Sequence, residues 1–215
     1  MIIAAWQLTS LAADSDDVLR EWMSAQADLH SWQADFTQTR AMKTLARPLV
    51  ATGHVWFKPP NQFRWELGDP AQTIVIRSTN ELFIVYPLLK RAERYPVGEK
   101  ATGEWRAMLS LLEAGFPHDL AELQSRFRTL SVSNVNDTWV VKLQPANATA
   151  RRVMKEIQLG VSTNNYSLAS TEMIFVDGSS MRNDFTNTVL NSGFDEKVFH
   201  WKRPSDFKIT EPLKQ

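Results

Sequence analysis

The chain of 215 residues, 43% hydrophobic and 22% charged, has the composition of a globular domain of good size. Twenty-four basic and twenty-four acidic residues leave no net charge, which excludes a general electrostatic grip on nucleic acid. The absence of cysteine excludes disulfides, thiolate catalysis and thiolate metal sites, and suits an oxidising compartment.

The first residues stand apart. Met1 to Leu11 is mostly apolar, and Ser10-Leu11-Ala12 is a small-x-small triplet ahead of the acidic Asp14-Ser15-Asp16-Asp17. Residues 1–13 therefore read as the remnant of a secretory signal, cut near Ala12 or Ala13, although a basic n-region is missing. That reading leaves residues 14–215 as one domain outside the cytoplasm. From Asp16 the pattern is helical, with Val18, Leu19, Trp22, Met23 and Leu29 roughly on one face. At Ser31 the period drops to two: Trp32, Ala34 and Phe36 alternate with polar residues, as in a strand with one buried face. Leu49 to Phe57 alternates likewise, Lys58-Pro59-Pro60-Asn61 is a turn, and Phe63, Trp65 and Leu67 return as the second arm of a hairpin. Gln72–Ser78, Glu81–Tyr86 and Arg91–Pro96 extend the meander.

The middle changes character. Trp105, Met108, Leu109, Leu111 and Leu112 carry helical spacing that Gly115 and Pro117 terminate, and Asp119 to Arg126 fits a second short helix. Strands resume at Arg128–Val135, Thr138–Gln144, Val153–Val161, Ser170–Val176 and Arg182–Leu190, and the Pro-containing tail from Phe199 to Ile209 fits an edge. Many strands with few helices cannot be covered on both faces, so the sheet must curl. The expected fold is α+β and mainly β: a curved antiparallel sheet of about 11 strands forming a half-open barrel under a helical lid.

Chemistry finds little support. The histidines at 30, 54, 118 and 200 share no metal-ligand spacing, and no phosphate loop, nucleophile elbow or spaced acid pair is visible. The expectation is a protein that is no enzyme and uses no cofactor or metal. What the pattern does contain is an apolar excess on one strand parity. Phe36, Val55, Phe57, Phe63, Trp65, Ile74, Ile76, Leu82 and Ile84 share a concave side if the registers hold. They form either a filled core beneath the helices or the wall of a ligand cavity, and Met108, Leu109 and Leu112 suit a movable lid over it.

A resemblance narrows the choice. Phe36-Thr37-Gln38 followed by Gly53-His54-Val55-Trp56-Phe57-Lys58-Pro59-Pro60-Asn61-Gln62-Phe63-Arg64-Trp65-Glu66 resembles the N-terminal hairpin of the LolA-type carriers that shuttle outer-membrane lipoproteins across the periplasm. Val85-Tyr86-Pro87 and the run from Asp184-Phe185 through Asn191 and Gly193 to Phe199 are similar to later parts of the same family. The resemblance implies a periplasmic, monomeric carrier whose cavity accepts the acyl chains of a lipoprotein or other acyl lipid. Phe63 would line its mouth and Trp65 would lie deeper. It also implies an inner-membrane export complex as donor and an outer-membrane acceptor. One position departs from the pattern: Pro59 stands where many members carry an arginine that latches the lid. A branch that handles another envelope lipid with an exporter, or an envelope-stress sensor of the same half-barrel type, is the alternative.

Overall fold

Residues 15–101, 105–106, 109 and 114–213 are described in a computed structural model. The expected signal remnant at residues 1–13 and the lid residues Met108 and Leu112 lie outside them. Helix α1 spans Ser15–Ala27; Asp16 and Asp17 in its first turn complement the positive end of the helix dipole, and Val18, Leu19, Trp22 and Met23 form its buried stripe. Strands follow as β1 (Trp32–Ala41), β2 (Leu49–Lys58), β3 (Gln62–Leu67), β4 (Thr73–Arg77), β5 (Glu81–Tyr86) and β6 (Arg91–Pro96). Trp105, Arg106 and Leu109 are helical, and helix α2 spans Leu120–Arg126 behind Asp119, whose carboxylate accepts from the Glu122 amide at 2.7 Å.

The second half of the sheet comprises β7 (Phe127–Val135), β8 (Thr138–Pro145), β9 (Met154–Ser162), β10 (Leu168–Phe175) and β11 (Ser180–Leu190), with β12 (Lys208–Thr210) from the tail. A one-turn helix α3 (Ala148–Arg151) interrupts β8 and β9. Its cap is Asn147, which accepts from the amides of Thr149 and Ala150.

All twelve strands form one curved, open sheet in the order β12-β6-β5-β4-β3-β2-β1-β11-β10-β9-β8-β7. The strand beyond the expected eleven is β12, which runs parallel to β6 and covers its edge. The two meanders are joined by β1 against β11, where Phe36 faces Phe185 and Gln38 faces Asn183. Asn191, in the left-handed region at φ 53°, secures this seam: its side chain accepts from the amides of His30 and Ser31 and donates to the Asp28 carbonyl. β6 and β7 lie toward opposite ends of the order, and the described parts of the connection between them lie on the concave side, where Leu109 packs with Leu82, and Phe116 with Phe57 and Trp32.

That side is packed unevenly. Trp22, Trp32, Phe36, Leu143, Ile157 and Leu159 belong to a large buried cluster that α1 helps to close. Leu82, Val97, Ala101 and Leu109 form a smaller one over β5. The convex side is also covered in part. Arg64 on β3 donates to the Val198 carbonyl at 3.2 Å, Phe83 on β5 meets Trp201 at 5.3 Å, and Phe199 is buried. The tail thus lies across the outside of β3 to β5 before ending in β12.

Candidate functional site

The space between the two clusters remains open as a cavity of about 380 Å³ on the concave face, within the range of small-ligand sites. One wall comes from β2 to β5. Val55 faces Trp65, and Phe57 faces Phe63, because directly opposed residues of an antiparallel pair share a face. Trp65 in turn faces Val75, and Val75 faces Ile84. Of the residues expected on the concave side, Val55, Phe57, Phe63, Trp65, Leu82 and Ile84 line this cavity.

Phe36 shares the face but lies beneath the wall. It is buried, its ring stands 4.0 Å from that of Trp65, and it covers Gly53. A Cβ on Gly53 would meet Phe36 Cζ at 2.4 Å, so the glycine is the space into which the phenylalanine packs. Leu109 is buried in the smaller cluster beside Leu82.

Ile74 and Ile76 require correction. The β3–β4 register sets Trp65 against Val75 and Phe63 against Arg77, so Ile74 and Ile76 occupy the opposite face with Arg64, Glu66 and Phe83. Ile76 is nevertheless buried, flanked by Arg64 and Phe83, which both touch the tail. The strand is apolar on both parities because both of its faces are covered, so hydrophobic alternation could not orient it.

The other wall went unread in the sequence. Phe116 stacks on Phe57 at 4.0 Å and meets Trp32 edge-on at 5.1 Å, and Trp32 meets Phe185 at 5.0 Å. Gly115 brings the connection down onto β10, where a Cβ would lie 2.8 Å from Leu168 Cδ2. Met173 and Met181 add flexible thioethers to the lining. The two-residue spacing of Thr171 and Met173, and of Met181, Asn183 and Phe185, which puts each set on one strand face, was a usable signal for this wall.

The polar lining groups largely satisfy one another. Gln38 Nε2 donates to Asn183 Oδ1, and Asn183 Nδ2 donates to Thr171 Oγ1, both at 3.0 Å. The described lining includes no charged side chain and no histidine. Arg77 shares the face of Phe63 and Leu82 and is buried just beyond the lining; desolvation, with the Arg126 charge, pushes its pKa down. His54 sits on the outer face, as its parity implied, with Nδ1 2.6 Å from Asp35. Asn187 first, and His54 with it, hold the Asp35 carboxyl below the usual carboxylate range. Among the described residues no cluster of His, Asp or Glu is suited to a metal ion.

The root of the crossing connection is pinned beside β6. Trp105 stacks on Tyr95 at 4.4 Å and donates from Nε1 to the Pro96 carbonyl at 2.6 Å, while Arg106 Nε donates to the Ala101 carbonyl at 2.7 Å. Burial, together with its hydrogen bond to Glu93, pushes the Tyr95 phenol up to about 12. An acid that holds its proton more tightly when folded loses stability for the fold once the unfolded chain ionises. Stability should therefore fall between pH 10 and about 12. A phenolate absorbance titration should show a late component that Tyr95→Phe removes; a titration from which this substitution removes no late component would contradict this.

Comparison with known proteins adds to this geometry. The family described as "Outer membrane lipoprotein carrier protein LolA" matches over residues 27–202. The outer-membrane lipoprotein carrier protein of Bordetella avium is 22% identical over 210 residues, 98% of this chain and 93% of that carrier. That of Serratia proteamaculans is 25% identical over 93 residues, 42% of this chain and 46% of that carrier, so this match spans less than half the relative's length. An uncharacterized conserved protein from Thermus thermophilus shares the fold, with a TM-score of 0.54 at 9% identity over 92% of this chain and 99% of that one. With the hairpin, the open twelve-stranded sheet and the family match in agreement, the chain belongs to the LolA family of outer-membrane lipoprotein carriers.

Proposed function

We propose that this protein is a periplasmic carrier that takes acyl chains of outer-membrane lipoproteins into its concave cavity and moves them from the inner to the outer membrane. The observation that carries the reading is the cavity itself: about 380 Å³, uncharged, and walled by aromatic and aliphatic side chains from both halves of the sheet. An acyl chain of about sixteen carbons carries roughly 12 kcal/mol of transfer free energy, so its passage through water requires an apolar shelter. Release requires that the shelter not be too deep, which a lid that must be displaced on loading provides. In this reading the crossing connection is the lid. Its hold through Trp105 on the last residue of β6 supports a latch that does not use the hairpin position occupied by Pro59.

The carrier works without catalysis, as a monomer, receiving cargo from an inner-membrane export complex and yielding it to an outer-membrane acceptor. The test is organic extraction of protein purified without detergent, followed by lipid mass spectrometry. Lipoprotein-derived acyl chains are the expected result. Phospholipid or another envelope lipid in their place would change the cargo. Lipid-free protein that also ignores added acyl probes would overturn the carrier reading in favour of a sensor or structural role.

A further inference from the structure

Every strand of the half-barrel ends at one of two rims, and the rims differ. The first rim holds the turns 42–48, 68–72, 87–90, 146–153, 176–179 and 203–207. There Lys43, Arg47, Lys90, Arg151, Arg152 and Arg203 stand against Asp69, Asp177 and Asp206. The turns of the opposite rim carry Asp28, Glu99, Asp137, Asp195 and Glu196 against Lys100 and Lys197. A chain with no net charge is thus polarised along the barrel axis.

Apolar exposure is heavier on the basic rim, with Val135 and Val189 exposed toward the other. Leu88 is 77% exposed, Leu89 67%, Val50 64% and Val176 57%, and all lie on the basic rim with Leu45, Leu49 and Val153. The tip bearing Leu88 and Leu89 is a defined turn. Pro87 opens a 3-10 turn, Lys90 closes it at φ 47° with its amide bonded to the Pro87 carbonyl, and the Arg91 guanidinium lies over the Tyr86 ring at 4.5 Å. Two leucines are therefore presented outward on a turn held in one shape. On the same rim, Arg47 and Arg152 form no ion pair among the described residues. Projecting aliphatic tips on a rim whose turns carry more basic than acidic residues complement a surface that is anionic outside and apolar a few ångströms below.

We infer that the rim carrying Leu88, Leu89, Lys43 and Arg47 docks on an anionic lipid bilayer, with the leucine tip entering the headgroup layer and the basic turns resting on the phosphates. This surface lies at the end of the barrel, outside the cavity lining, and its assignment does not rest on the carrier reading.

The test is flotation of the full chain with vesicles of phosphatidylglycerol and phosphatidylethanolamine, against vesicles of phosphatidylcholine alone. Binding should favour the anionic vesicles and be lost between about 0.1 M and 1 M salt, as the screening length drops from about 10 Å to about 3 Å. Joint Leu88→Asp and Leu89→Asp substitution should weaken binding about tenfold, with an unchanged melting temperature because both side chains are exposed. Joint Lys43→Glu and Arg47→Glu substitution should remove the anionic preference. Phe63→Glu should leave flotation intact; if it abolished flotation while the rim variants floated as the parent does, the vesicle contact would be cargo uptake and the docking surface would be wrong. Absence of flotation, or equal flotation on neutral vesicles, would also overturn it.

Discussion

A Phe63→Glu variant should fold and lose acyl-chain binding by at least about a hundredfold, close to 2.7 kcal/mol. Phe63 stands at the junction of the two apolar clusters and in the cavity wall, opposite Phe57 on one side and Arg77 on the other. Arg77 offers the new carboxylate a cation across the β3–β4 pair, which spares the fold. The wall nevertheless acquires charge where an acyl chain needs apolar contact, at about 0.8 kcal/mol for each methylene that loses it. Met173→Glu, on the opposite side of the cavity, should act in the same direction. Displacement of a fluorescent fatty acid measures the affinity, and near-ultraviolet circular dichroism with a thermal melt measures the fold. Parent-like affinity in both variants would show that acyl chains do not enter this cavity.

The largest effect on stability is expected at Gly53. A Cβ built there lies 2.0 Å from the Glu66 carbonyl oxygen and 2.4 Å from Phe36 Cζ, distances that real side chains do not tolerate. Relief requires displacing the backbone of β3, or expelling a buried ring that packs on Trp65 and Phe185. Gly53→Val should cost about 3 kcal/mol or more, which in a chain of this size lowers the melting temperature by roughly 10 °C. Gly53→Ala should fall between that variant and the parent. Pairing Gly53→Val with Phe36→Leu should recover part of the loss, since the two positions share one volume. A Gly53→Val protein that melts within about 2 °C of the parent would refute the packing account.

The hairpin from Leu49 to Leu67 shows what a sequence can disclose. Its inner residues Val55, Phe57, Phe63 and Trp65 alternate with the outward His54, Trp56, Arg64 and Glu66, and a Pro-Pro turn fixes where the chain reverses. From His54 onward the outward face is mostly polar and the inner face apolar, so period and parity agree, and these residues occupy the side assigned to them. Strand β4 shows where the same logic fails. Ile74, Val75 and Ile76 are apolar in succession because the C-terminal tail covers the outside of the sheet there. Nothing local to residues 73–77 records a segment more than 120 positions later. The parity of β4 therefore depends on its register with β3, and Val75 rather than the isoleucines faces the cavity.

The far wall was hidden for a related reason. Phe116 reads locally as part of a helix-terminating Gly-Phe-Pro, and only the path of the crossing connection brings it onto Phe57 and Trp32. Phe185 gains its role from the β1–β11 seam, which joins residues nearly 150 positions apart.

By itself the sequence determined the kind of object this is: a mainly β chain with a helical interruption, an aromatic inner hairpin, and motifs that place it in one family. These properties follow from side-chain period, turn chemistry and local residue order, all short-range. The tertiary structure decided which apolar residues form solid core and which border empty space, because a void is the volume left between elements whose separation no single segment encodes. It also decided that aliphatic tips and basic residues from five separate loops meet at one rim, since only the assembled strand order brings those loops together.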